Sequence, residues 1–254
     1  MSNLNGVLLI DKPKEFTSFD VIAVVRRLTG QKKLGHTGTL DPNATGVLPI
    51  LLGTATKTQD LILNHDKSYT AEFQLGKTTD TLDIWGTVTG ECESSVTEEQ
   101  IRRVIPNFTG EIEQIPPMYS ALKVNGKKLY ELARQGKEVE RQARPVQILD
   151  IQIESIDLPR ATFSVTCSKG TYIRTLCYDI GRKLGCGGCM ESLLRTRVDR
   201  FKLEDSLTLS QIEKLRDEGR VEAVVVPVEG VFLGLPALVT KPGDGDKLVH
   251  NGNP

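Results

Sequence analysis

Two stretches of the chain alternate strictly between apolar and polar residues. Tyr69, Ala71, Phe73 and Leu75 line up in one, and Ala161, Phe163, Val165 and Cys167 in the other. Successive side chains of a β-strand point to opposite faces, so each stretch is a strand with one buried and one wet face. Val7-Leu8-Leu9-Ile10 is instead a continuous apolar run, the mark of a strand covered on both sides. Helical patterns lie between them. Thr17 or Ser18 can cap a helix whose Phe19, Ile22, Val25 and Leu28 share a side, and Gly30 sits where such a helix ends. Thr97 with Gln100 forms a capping box for a second helix, which stops before Pro106. Leu176, Ile180 and Leu184 mark a third, ended by Gly185, and Ser210 with Glu213 reads as a further capping box. Strands and helices mix without regular alternation and no internal repeat shows, which is an α+β pattern.

At 254 residues, 39% apolar and 26% charged, the chain can build one large domain or a domain with a small appendage. No window holds the ~18 to 20 uninterrupted apolar residues of a membrane span, and the first residues lack a basic segment followed by a long apolar one. A cytoplasmic location is therefore expected, with no membrane partner. Five cysteines, an odd number without an export signal, point to reduced thiols. The net charge of −1 hides a segregation along the chain. Tyr119 to Pro145 holds seven basic and three acidic residues, Arg182 to Lys202 six and two, and Glu91 to Ile115 two and six. Solvated helix faces are the ordinary source of such runs; one side facing a polyanion is the functional one.

Several chemistries fall away by spacing. The chain has no Gly-x-x-x-x-Gly-Lys-Ser/Thr, no Gly-x-Gly-x-x-Gly after a strand and no Gly-x-Ser-x-Gly. Cys186-Gly-Gly-Cys189 has the spacing of a zinc knuckle, but no second pair of ligands lies nearby, and His36, His65 and His250 are far apart. No metal is expected. What remains is the loop LGHTGTLDPNATGVLPI, Leu34 to Ile50. Pro42 biases Asp41 toward an extended backbone, His36, Thr37 and Thr39 set polar groups beside it, and Gly35, Gly38 and Gly46 let backbone approach a ligand. Asp41 reads either as a turn residue bonded to its own backbone or as a lone carboxylate acting as nucleophile or base.

Five blocks in order resemble the TruB family of tRNA pseudouridine synthases: GVLLIDKP followed by Thr17-Ser18, GHTGTLDPNATGVLPI, YTAEFQLGKTTDTLD, PPMYSALKVNGKKLYELAR and CSKGTYIRTL, spread over Gly6 to Phe201. Four residues at three places depart from the usual pattern. Glu15 stands where glycine is usual, Leu194 replaces the first of an Arg pair after Leu193, and Val198-Asp199 replaces a small Ser-Gly-like pair. The resemblance implies the pseudouridine synthase fold, a mixed, mostly antiparallel sheet flanked by helices and loops. It implies a catalytic domain over 1–234 with an RNA-clasping insertion at about 112–145, and a stub at 235–254 similar to the start of a PUA-like domain.

The activity implied is isomerisation of the T-loop uridine at tRNA position 55. The uracil is detached at N1, turned and rejoined through C5, without a cofactor, after the base is flipped from its stack. By the match Asp41 is the catalytic carboxylate, Tyr69 stacks on the uracil and can take the C5 proton, and Arg174 pairs with Asp41. Tyr172 and Leu193 line the pocket, and His36 contacts the displaced nucleotide or holds its place. Lys12 is divided between a structural pairing and a substrate contact. Lys123, Lys127, Lys128 and Arg134 fall to RNA binding. By pattern alone, Tyr69 is an ordinary core residue, Arg174 a helix-start residue and Tyr172 simple packing. A monomer acting on the T-stem-loop with no protein partner is expected. A guide-dependent enzyme of the dyskerin type and an RNA chaperone that folds tRNA without chemistry are the alternatives.

Overall fold

The computed structural model describes residues 4–60 and 66–232. In chain order its strands are β1 (Gly6–Lys12), β2 (Leu34–His36), β3 (Thr45–Leu52), β4 (Lys67–Leu75), β5 (Lys77–Thr79), β6 (Val88–Glu91), β7 (Gly110–Gln114), β8 (Lys123–Val124), β9 (Lys127–Lys128), β10 (Arg144–Asp157), β11 (Arg160–Cys167), β12 (Gly188–Val198) and β13 (Phe201–Lys202). Nine of them form one sheet in the order β1-β3-β12-β4-β11-β10-β7, with β2 added to β3 and β13 to β12. Its ladders are antiparallel except at β3 and β12, which pair in parallel through Thr45 with Leu194 and Gly46 with Arg195. That ladder joins β1 to β3 with the long antiparallel sheet. The architecture is α+β, as the alternating patterns imply.

Burial follows the patterns residue by residue. Tyr69, Ala71, Phe73 and Leu75 of β4 and Ala161, Phe163, Val165 and Cys167 of β11 enter one core, with the Phe73 and Phe163 rings 5.7 Å apart. Helices α2 (Glu98–Val104) and α4 (Ile173–Lys183) cover this face through Ile101, Ile173, Leu176 and Ile180. The short helix α3 (Leu129–Ala133) precedes α4 in the chain. Strand β1 is covered on both sides, which explains its unbroken apolar run: Leu8 and Ile10 face one cluster, Val7 and Leu9 another. Each buried side chain of this size contributes roughly 1.5–3 kcal/mol.

Helix α1 (Ser18–Thr29) shows why the chain turns where it does. Thr17 Oγ1 accepts from the Asp20 amide at 3.1 Å, Asp20 Oδ2 accepts from the Thr17 amide at 2.8 Å, and Gly30 ends the helix at φ 68°. Val21, Ile22, Val25 and Leu28 form its buried side. Phe19 does not join them: it is 69% exposed, because the helix rotates Val21 rather than Phe19 onto the sheet. A second correction falls on α5 (Leu209–Asp217), which is capped by Thr208 and Gln211 instead of Ser210 and Glu213, since the first turn begins two residues earlier. The expected stub at 235–254 lies outside the described residues, as do His65 and His250.

Two of the unusual residues named above take a conformation that favours glycine. Glu15 has φ 67° and Asp199 φ 54°. A left-handed backbone costs a residue with a Cβ about 1–2 kcal/mol, more for glutamate than for aspartate, whose short side chain can bond locally. Glycine at Glu15 would lose about 0.5–1 kcal/mol in chain entropy and escape that strain. Glu15→Gly should therefore raise the unfolding free energy by about 0.5–1 kcal/mol in urea titrations while Glu15→Ala gives no gain; equal effects of the two would show that Glu15 is unstrained.

Candidate active site

Asp41 sits in the loop between β2 and β3, and three clamps fix that loop. Lys12, at the end of β1, gives its three ammonium hydrogens to the carbonyls of Pro13 at 2.9 Å, Phe16 at 2.6 Å and Pro42 at 3.0 Å. Ser18 Oγ accepts from the Leu40 amide at 3.0 Å, and the Ala44 amide donates to the Asp41 carbonyl at 3.1 Å. Lys12 is thus completely buried with its donors used on backbone, the structural pairing of its two readings, and it fastens the loop. Burial lowers its pKa to about 8, partly countered by the nearby Asp41 and furthered by Arg195.

Arg174, in the first turn of α4, meets Asp41 along its side: Nε lies 2.9 Å from Oδ2, and Nη2 donates to Oδ1 at 3.4 Å. The same guanidinium donates to the carbonyls of Thr81 and Tyr119, each at 2.8 Å, and its Nε lies 3.9 Å from Asp83 Oδ2. A planar fork with five donors suits this convergence and an ammonium would not. Asp83 accepts from Thr81 Oγ1 at 2.7 Å and the Trp85 amide at 3.1 Å. Burial raises its pKa, against the pull of Thr81 and Arg174. Gln114 holds the start of α4 by accepting from the Tyr172 amide at 3.0 Å.

A cavity of about 290 Å³ opens on Asp41, with Tyr69, Tyr172, Arg174, Leu193 and Arg195 in its walls. The structure therefore brings together five residues named from the sequence: Asp41, Tyr69, Tyr172, Arg174 and Leu193. Burial pushes the Tyr69 hydroxyl up to about 12. His36 lies outside this lining. It packs edge-on against Phe19 with ring centroids 5.8 Å apart, and its Nδ1 is buried without a hydrogen-bond partner among the described residues. Burial lowers its pKa.

A second cavity of about 440 Å³ also reaches Asp41, walled by Phe19, Asp83, Trp85, Tyr130 and Arg134. Cations attend its aromatic rings: Lys14 Nζ is 4.5 Å from the Trp85 centroid, and Lys128 and Arg134 lie 5.4 and 5.3 Å from that of Tyr130. Lys128 and Arg134 thus stand beside this groove. Lys123 and Lys127 are exposed on the β8–β9 hairpin, which turns through Asn125 and Gly126, both at positive φ. The hairpin is anchored where Leu129 is buried and where the Tyr130 amide donates to the Ser120 carbonyl at 3.1 Å.

Sequence reasoning missed Asp83, Trp85 and Arg195. Asp83 closes the third matched block and Trp85 follows it by two, so proximity to a motif was the one signal for them. Arg195 occupies an inward strand position that apolar periodicity assigns to a hydrophobe. All five cysteines are free, Cys92 alone being exposed, and among the described residues no three His, Cys, Asp or Glu side chains cluster as metal ligands would. No helix of the described residues is long and apolar enough to cross a membrane.

Known proteins resemble this chain over most of its length. Residues 26–173 match the family model described as TruB family pseudouridylate synthase (N terminal domain), and residues 174–232 match the tRNA pseudouridylate synthase B C-terminal domain. The tRNA pseudouridine synthase B of Alkaliphilus oremlandii is 48% identical over 250 residues, covering 98% of this chain and 82% of the relative. That of Dechloromonas aromatica is 47% identical, with 99% and 83% covered. Among solved structures, a Cbf5 chain from a Cbf5-Nop10-Gar1 complex superposes with a TM-score of 0.71 at 31% identity. That match covers 89% of this chain, which spans 61% of the length of the other. The chain belongs to the TruB family of tRNA pseudouridine synthases, which are isomerases.

The Arg174 fork yields a stability test. Arg174→Met would leave the Asp41 carboxylate and the carbonyls of Thr81 and Tyr119 without that donor and would strip half-buried Asp83 of its counter-charge, which should cost about 3 kcal/mol in urea unfolding. A loss below about 1 kcal/mol, the worth of an exposed ion pair, would show that these contacts are idle.

Proposed function

We propose that this chain converts the T-loop uridine at position 55 of tRNA to pseudouridine, with Asp41 as the essential carboxylate. The observation that carries the reading is the position of Asp41 between two cavities, the smaller walled by Tyr69, Tyr172 and Leu193 and the larger by aromatic rings with cations over them. The smaller cavity suits a flipped uridine, with Tyr69 stacking on the ring and Tyr172 and Leu193 beside it. The groove suits single-stranded RNA, because every base has a face that stacks on an aromatic ring and cations neutralise its backbone. Isomerisation keeps every atom and electron of the substrate, so the residues in hand need no cofactor. Flipping costs a few kcal/mol, which contacts to the displaced base must offset. Lys123, Lys127, Lys128 and Arg134 would meet the backbone of the T-stem-loop. We place the enzyme in the cytoplasm, acting as a monomer without a protein partner.

The Cbf5 resemblance favours a guide-dependent reading less. Its identity is lower than that of the curated tRNA enzymes, and the hairpin insertion beside the groove supplies an RNA contact of the chain's own. A chaperone without chemistry would have no use for a carboxylate clamped by Lys12 and Arg174.

Asp41→Asn should abolish pseudouridine at the T-loop uridine of unmodified tRNA while leaving RNA affinity within about threefold, since the carboxylate supplies chemistry and the surface supplies binding. Trp85 is the chain's single tryptophan and lines the groove, so its emission reports that binding. Residual turnover at the same uridine above a few per cent would remove Asp41 from the reaction. The hairpin lysines give a second test: Lys123→Ala, Lys127→Ala and Lys128→Ala combined should flatten the slope of log K against log salt by roughly two units, at ~0.7 to 0.9 for each phosphate no longer neutralised. An unchanged slope would mean that these lysines face solvent in the complex.

A further inference from the structure

Arg195 heads the large side chains that the protein buries completely, at 1% exposure. Among the described residues no carboxylate forms an ion pair with it. Its Nε donates to the Val47 carbonyl at 2.8 Å and its Nη2 to the Gly38 carbonyl at 3.2 Å. Its remaining side-chain partner is the Tyr69 hydroxyl. The pairing is set by the backbone, for Arg195 and Tyr69 stand directly opposite each other in the β12–β4 ladder. Both side chains line the cavity that holds Asp41. The charged or titratable groups that bear on the Tyr69 hydroxyl are Arg195 from β12, Cys167 from β11 and Asp41 from the loop. Two carbonyl dipoles do not neutralise a buried guanidinium, and burying such a charge is unfavourable unless a partner compensates. The partner in place is a phenol, whose ionised form would complete the pair.

We propose that Arg195 is a positioning residue for the isomerisation: it holds the Tyr69 hydroxyl toward the bound uracil and carries the counter-charge for a proton shuttle through that hydroxyl. The inference rests on the uridine reading of the cavity. Once the ring is rejoined through C5, that carbon bears both its hydrogen and the ribose, and C6 is double-bonded to N1. The pyrimidine is restored when the C5 hydrogen leaves as a proton, its electron pair forms the C5=C6 bond, and the former C6=N1 pair takes a proton at N1. N1 and C5 flank C6 on one edge of the ring, so a single hydroxyl reaches both. Tyr69 gives its proton to N1 and its oxygen takes the one from C5. The phenol is regenerated, one proton has moved from C5 to N1, and neither oxidant nor reductant is used. Arg195 stabilises the negative charge that the phenol oxygen carries between the two transfers.

The test uses the full chain and a T-arm stem-loop carrying [5-²H]uridine at the target, in single turnover at saturating RNA. Arg195→Met should slow turnover by about a hundredfold or more with RNA affinity within about threefold, the range expected for loss of general acid-base catalysis. It should also raise the C5 deuterium isotope effect above that of the parent enzyme, because C5 proton transfer becomes limiting. Arg195→Lys keeps the charge without the fork and should recover part of the rate; it serves alone if Arg195→Met does not fold, since its own raised isotope effect is then the readout. A merely structural role would slow turnover and leave the isotope effect where it was, and that result overturns the inference. Absence of pseudouridine with the parent enzyme would overturn the uridine reading itself, and this inference with it.

Discussion

The short parallel ladder between β3 and β12 is the constraint on which the site depends. Only two residue pairs form it, and at one of them the backbones come so close that a Cβ on Gly46 would collide with the Arg195 carbonyl oxygen. Glycine is required there by contact as well as by its φ of 104°. That approach joins β1 to β3 with the rest of the sheet, and it does so five residues after Asp41. The Asp41 loop therefore leaves a fixed seam. Lys12, Ser18 and Arg195 fasten it from three other elements. A carboxylate that must meet a reacting atom to within a fraction of an ångström is better held by sheet and helix than by loop contacts alone.

Charge around the cavity follows from the same geometry. Arg174 stands between Asp41 and Asp83 and spends its other donors on the carbonyls of Thr81 and Tyr119. Tyr119 begins the basic stretch that carries the hairpin, so one side chain bonds the Asp41 carboxylate and the root of that segment. A shift of that root on RNA engagement would act on the Arg174 fork directly. The coupling needs no pathway of intermediates, because the two contacts share a guanidinium.

Much of this was legible in the sequence where a residue's environment is repeated by its neighbours. The alternation of β4 and β11, the caps at Thr17 and Thr97 and the stop at Gly30 each express a local rule that tertiary packing left intact. The rules failed where a single residue broke step. Phe19 fits the helical stripe by spacing, yet the helix turns it toward the groove, and a stripe does not say which of its edges meets the sheet. Ser210 with Glu213 and Thr208 with Gln211 both fit the capping-box pattern, and the helix uses the second, which its sequence alone does not mark. Of the site, the motif residues were readable and their supports were not. Asp83 and Arg195 act through partners more than ninety positions away, and nothing local marks a charge as buried. Lys12 was half legible: its motif was plain, but its use of three backbone carbonyls is a property of the fold.

A pI near 6.3 looks unsuited to a polyanion, and the structure shows why net charge is the wrong measure. Charges more than about 10 Å apart are screened from one another at ordinary salt, so RNA meets a local surface and not the sum over the chain. Around the groove that surface is Lys14, Lys128 and Arg134 laid over Trp85 and Tyr130, with Arg174 and the carboxylates Asp41, Asp83 and Glu191 also in its wall. A cation over an aromatic face also restricts which side of the ring a base can take. Base stacking is worth about 1–3 kcal/mol per ring, close to the cost of unstacking one nucleotide. The exposed faces of Trp85 and Phe19, 55% and 69% open, are apolar surface that a folding chain would bury if folding alone had shaped it. Left open in the cavity that reaches Asp41, they are rings on which a strand laid along the groove would recover the stacking that flipping gives up.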